Sequence, residues 1–171
     1  SGNDAAEAVA HNISGTDTEF AKLMTERAKE CGAAETCFTN PSGLPDDGHY
    51  TTAYDMALIA KTALENEKFA EIVSTRKHKV NVLNDSERTL EFYNHNKLLN
   101  LMDDCTGVKT GYTKKAGRCL VSSAVRDGMK YIAVTLNDGD DWNNHIKMYE
   151  DVFAASEPLK ILEKGECIKT Y

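Results

Sequence analysis

The chain has 171 residues, 41% of them hydrophobic, and 20 basic side chains against 27 acidic ones, for a net charge of −7. That size and balance describe one globular domain able to bury a core without help from disulfides. The acidic surface with scattered lysines lacks the basic footprint that nucleic acid or an anionic membrane needs, and no apolar run approaches the roughly 18 residues of a membrane span. Residues 1–10 also lack the basic-then-apolar layout of a signal peptide.

Asn3 or Asp4 is placed to cap a first helix whose apolar positions Ala5, Ala6, Val9 and Ile13 follow helical spacing. Thr16 and Glu19 form a capping box ahead of Phe20, Leu23, Met24 and Ala28, and Gly32 supplies the stop. A short extended piece over 36–38 leads into the turn-rich run 40–48, which reads as an ordered surface loop. Thr52 with Asp55 caps a third helix carrying Met56, Leu58, Ile59 and Ala63, and a further helical turn or two covers 68–73.

The period then changes. Residues 77–83 and 88–93 alternate around Asn84-Asp85 as one hairpin, and 118–125 and 129–136 are joined by Arg126-Asp127-Gly128 as a second. These strands are expected to form the sheet. Asp140 and Asp141 open a last helix with Trp142, Ile146, Tyr149 and Phe153, their charges matched to its dipole. Helices, antiparallel strands and a closing helix define an α+β fold.

The five cysteines, Cys31, Cys37, Cys105, Cys119 and Cys167, show no C-x-x-C spacing. A Cys31–Cys37 bridge and free thiols are both compatible with the pattern. Asp141 and His145 stand four apart on a helix, a metal-ligand spacing, but capping and a solvated acidic loop explain them without a metal.

Lys109-Thr110-Gly111 precedes a β-rich stretch, where the lysine can present charge and the glycine admits a ligand to the backbone. Residues 106–113, followed by Ala116-Gly117 and Leu120-Val121-Ser122, resemble the K-T-G motif of the serine-type D-alanyl-D-alanine carboxypeptidases, the low-molecular-mass penicillin-binding proteins of peptidase family S11. Ser1-Gly2-Asn3 is similar to their S-x-N motif; Phe38 to Leu44, His49 to Asp55 and Asn94 to Leu99 resemble further family segments in the expected order.

The resemblance implies a partial β-lactamase/transpeptidase-like fold over 1–156, with 157–171 a terminal strand or the start of another domain. It also implies an acyl-enzyme reaction that trims the terminal D-alanine from peptidoglycan pentapeptides, with no cofactor or metal, and β-lactams as inhibitors. Ser1, Asn3 and Lys109 are then the catalytic group; Lys109, Thr110, Gly111 and Thr113 hold the substrate. The implied location is extracytoplasmic, in the cell envelope.

The family order is S-x-x-K, S-x-N, K-T-G, and this chain begins at the second motif. The nucleophile is therefore expected ahead of Ser1, leaving this chain inactive alone and prone to dimerisation or strand exchange. The literal S-x-x-K at Ser74-Thr75-Arg76-Lys77 comes after S-x-N, out of order. A non-catalytic peptide-binding module of the same fold is the alternative. The family's carboxylate-binding arginine near the last helix has no counterpart between Asp127 and Tyr171, so Lys109, Thr113 or Arg118 would take that role.

Overall fold

The structure, a computed structural model, describes residues 1–83 and 85–158, with nothing said of the Ser86 and Glu87 side chains. The expectation for 157–171 therefore falls almost wholly outside the described residues. Helices α1 (Asn3–Ser14), α2 (Asp17–Glu30), α3 (Ala53–Leu64) and α4 (Glu67–Ser74) come first. Strands β1 (Lys77–Val82) and β2 (Asp85–Tyr93), helix α5 (Leu98–Leu101), strands β3 (Cys105–Thr113), β4 (Gly117–Arg126) and β5 (Met129–Thr135), and helix α6 (Asp141–Ala154) follow. No helix among the described residues is long and apolar enough to cross a membrane.

The local capping signals act largely as read. The Thr16 hydroxyl accepts from the Glu19 amide at 3.2 Å and that of Thr52 from the Asp55 amide at 3.0 Å. Two details differ. The α1 cap is Gly2, with Asn3 already inside the helix and no side-chain cap bond. The Glu19 carboxylate accepts from Lys22 at 2.6 Å, so an ion pair on the exposed face of α2 takes it away from a reciprocal capping box.

The strands form two sheets rather than one. β1 and β2 make a separate antiparallel ribbon, while β3, β4 and β5 pair antiparallel in that order. Lys109-Thr110-Gly111 lies inside β3, not ahead of the sheet: Lys109 pairs with Val121 and Gly111 with Cys119. Gly117 turns β3 into β4 at φ 69°, where a Cβ would collide with Asn137.

Side-chain alternation along β4 separates two cores. Val121 packs with Ala60 of α3 and Val108, against Met56, Leu64, Phe69 and Val73. On the other face, Leu120 joins Leu98, Leu99 and Trp142, and Ala124 joins Tyr149 and Phe153 of α6. The sheet is thus covered by α3 and α4 on one side and α6 on the other, and β4 is buried through its centre.

Candidate active site

The Lys109 ammonium donates to the Ser1 hydroxyl at 2.5 Å, joining residues 108 positions apart in sequence. It donates also to the Thr110 carbonyl. Protein packed around the ammonium disfavours its charge and lowers the Lys109 pKa below the ordinary lysine value. Because the ammonium donates, Ser1 accepts, and its own hydroxyl proton is free to point into the cleft. A lysine paired in this way with a serine can relay a proton to or from a reacting group.

Two cavities meet at Ser1, Thr110 and His95. One, of about 780 Å³, runs from Lys109 along α4 and the base of the β1–β2 ribbon. The other, of about 520 Å³, passes Gly111 and Tyr112 to Arg118, Asp141 and Trp142. Among the expected residues, Ser1, Lys109, Thr110 and Gly111 thus come together. Asn3 is exposed on the first turn of α1 and lines neither cavity. Thr113 sits at the end of β3, where its hydroxyl accepts from the Ala116 amide at 3.0 Å and closes the turn into β4.

The loops beside the cleft are held by asparagines. Asn94 donates to the carbonyls of Val73 and Thr75 at 3.2 and 3.1 Å and accepts from the Asn96 amide at 2.9 Å. Buried Asn96 accepts from the Leu98 amide at 3.1 Å, starting α5. These two fix the segment, and His95 stands exposed on the cleft rim. In the loop after α2, the Asn40 side chain accepts from the amides of Gly43 and Leu44 at 2.8 and 3.2 Å. His49 steadies the same loop by accepting from the Thr39 amide at 3.3 Å.

The acidic residues at α6 have structural partners. Asp141 binds Arg118, whose guanidinium also lies over the Trp142 ring, 5.3 Å from its centroid. His145 is fully buried; its Nδ1 lies 2.6 Å from the Ser122 hydroxyl and its Nε2 3.0 Å from that of Thr135. Its burial pushes the pKa down to about 4, so the ring is neutral near pH 7. Asp138 accepts from the Asn144 side chain and the Asp140 amide.

The out-of-order serine and the lysine of its S-x-x-K run have separate partners. Ser74 donates to the Glu71 carbonyl at 3.1 Å, while Lys77 lies 2.7 Å from the Glu91 carboxylate. Tyr112, Asp141 and Trp142 were missed as cleft residues. The spacing 118, 120, 122 along β4 was the available signal for the wall they share, since it puts Arg118 on the α6 face.

Comparison with known proteins adds to this geometry. The D-alanyl-D-alanine carboxypeptidase family model, peptidase S11, matches residues 1–140. D-alanyl-D-alanine carboxypeptidase DacF of Bacillus subtilis is 42% identical over 171 residues, covering 98% of this chain and 43% of its own length. DacC of Escherichia coli is 37% identical, covering 82% of this chain and 34% of its own. The Streptomyces K15 DD-transpeptidase superposes with a TM-score of 0.82 at 28% identity, covering 88% of this chain and 62% of its own. The D-alanyl-D-alanine carboxypeptidase DacD of Francisella tularensis gives 0.80 at 28% identity, with 90% and 49% covered. The chain therefore spans less than half the length of these two curated relatives. With a family match over most of its residues and the Ser1–Lys109 pair at the meeting of two cavities, the chain belongs to the D-alanyl-D-alanine carboxypeptidases of peptidase family S11.

Proposed function

We propose that this chain supplies the S-x-N and K-T-G walls of a serine D-Ala-D-Ala carboxypeptidase acting on peptidoglycan pentapeptides. The observation that carries this reading is the 2.5 Å contact between the Lys109 ammonium and the Ser1 hydroxyl. In the proposed reaction a serine oxygen attacks the carbonyl between the two D-alanines, the C–N bond breaks, and the proton lost by the serine reaches the departing amine. Water then hydrolyses the ester and restores the serine. Ser1 relays the proton and Lys109 raises the local potential for the substrate carboxylate, while the S-x-N motif alone assigns the substrate backbone to Asn3, which stands outside both cavities on the exposed first turn of α1. Thr110, Gly111 and Thr113 belong to the same binding strand, and Arg118 at the far end of the smaller cavity supplies the cation at the carboxylate end.

The attacking serine and its lysine base belong to the S-x-x-K segment that precedes S-x-N in the family order. Ser74 and Lys77 are engaged elsewhere, so the chain on its own does not turn over substrate. The proposed site of action is extracytoplasmic, where the cell-wall substrate lies. β5 pairs with β4 alone among the described residues, and a free strand edge of this kind favours self-association; light scattering that finds only monomer at every concentration removes this part of the reading.

Intact-mass spectrometry after incubation with a penicillin tests the whole. A single penicilloyl adduct on the protein that includes the S-x-x-K segment, and none on this chain, is the expected result. An adduct mapped to Ser74 overturns the motif assignment. No adduct on either favours a non-catalytic peptide-binding module.

A further inference from the structure

Arg118 is fixed from three directions. Its carbonyl accepts from the Asp138 amide at 2.9 Å, which ties the start of β4 to the loop before α6. Its guanidinium donates through Nε, at 3.2 Å, and through Nη2 to the two oxygens of buried Asp141. One face of the same group lies over Trp142, 5.3 Å from the ring centroid. Asp141 is itself moored. One turn further along α6, the His145 ring is held between the Ser122 and Thr135 hydroxyls at 2.6 and 3.0 Å.

A guanidinium carries five N–H donors. In Arg118 two of them, along the side edge, go to Asp141, and the other three, on Nη1 and Nη2, have no partner among the described residues. Together they offer the end-on fork that matches a second carboxylate. Arg118 lines the cavity of about 520 Å³ with Thr110, Gly111 and Tyr112, and it pairs across the sheet with Tyr112. Because Asp141 balances the charge of the arginine, what the pair presents to a ligand is direction. Two parallel N–H groups are matched by both oxygens of a free carboxylate and by only one atom of an amide.

We propose that Asp141 and Trp142 are positioning residues that hold Arg118 as a receptor for a free terminal carboxylate, so that the smaller cavity selects peptides that end there. The proposal rests on the carboxypeptidase reading above and adds two residues of α6 to it. A peptide amidated or extended at that end brings no carboxylate to the fork and leaves its donors unmatched at the cavity wall. The arginine cannot swing toward a displaced group without giving up Asp141 or Trp142.

The test uses this chain and two synthetic peptides ending in D-Ala-D-Ala, one with a free terminal carboxylate and one amidated there. Binding is followed by NMR of the backbone amides and of the Arg118 and Trp142 side-chain N–H groups. Both peptides should move Lys109 and Thr110. The acid should also move the Arg118 side chain and bind about tenfold tighter, the scale of one charge-assisted contact. Asp141→Asn removes a negative charge beside the site, yet it should cut that advantage to about threefold, because the released arginine loses its direction. Trp142→Leu should do the same, and Trp142→Phe, which keeps an aromatic face, should restore it. Affinity for the amide should stay level in all three. Unchanged resonances away from the cavity verify each fold, and Trp142→Leu carries the test if Asp141→Asn unfolds. An advantage that grows or holds in the folded variants overturns the proposal, since Arg118 then acts by charge alone. Equal affinities for acid and amide, with Lys109 and Thr110 moving, overturn it and leave the carboxypeptidase reading intact. No response at Lys109 or Thr110 to either peptide overturns both.

Discussion

Arg118 at the start of β4 grips Asp141 at the start of α6 with two donors, Nε to one carboxylate oxygen and Nη2 to the other. Asp141 is 3% exposed and Arg118 side-chain atoms are 39% exposed, so the pair spans the boundary between core and cleft. The arrangement fastens the helix end to the strand that runs beside the K-T-G strand. Asp141→Asn keeps the volume and removes the charge. Urea unfolding should show a loss of about 1 to 2 kcal/mol, above a fully exposed ion pair but reduced by solvent around the arginine. An unchanged midpoint would show that the pair adds nothing to stability.

His145 makes stability depend on pH through a side chain remote from any substrate. Its folded pKa is about 4 against an ordinary value of 6.5, because burial disfavours the charged ring. Between those values the unfolded chain binds the proton more readily than the folded one. Stability is therefore complete above about pH 6.5, falls as pH drops toward 4, and levels off below, with a total on the order of 3 kcal/mol. Chemical denaturation from pH 7 to 4.5 should show this slope, and His145→Gln should flatten it. Parallel slopes in the two proteins would assign the effect to carboxylates instead.

Lys109→Ala, made in the protein that carries the acylating serine, should slow penicillin acylation by about 2 to 4 kcal/mol of transition-state stabilisation. The pH profile adds a second readout. Since the Lys109 pKa lies below its ordinary 10.5, the ammonium is lost earlier on the alkaline side, and carboxylate-dependent acylation should decline before that pH. A limb at or above the ordinary value would separate acylation from the charge on Lys109.

Ser74→Ala should leave penicillin reactivity unaltered in the same protein. The hydroxyl donates to the Glu71 carbonyl at the end of α4, and Lys77 of the same S-x-x-K run is held by Glu91 instead. Loss of the adduct would require a different reading of the motif order.

What was legible in the sequence followed the range of the interactions. Thr16, Thr52 and the Arg126-Asp127-Gly128 turn work through neighbours a few residues away, and each does its expected job. The β3 strand was obscured because Gly107, Thr110 and Gly111 interrupt apolar alternation; its pairing comes from β4. The division of the strands into two sheets depends on where α5 and α4 pack, which no local pattern encodes. At the site, residue composition alone left Lys109-Thr110-Gly111 as three ordinary residues; only the family resemblance joined them to Ser1. The ring of partners around Arg118 needed the register of β4 against α6.

The fully buried contact of His145 and Tyr149 with the Ser122 hydroxyl also governs how α6 can lie on the sheet. A one-turn slip of the helix, about 5.4 Å, would exchange one set of apolar contacts for another. The slip would strand two polar rings among apolar neighbours and pull Asp141 out from under Arg118. A single serine in the middle of the sheet thus indexes the helix, and the wall of the cleft inherits its position from that indexing.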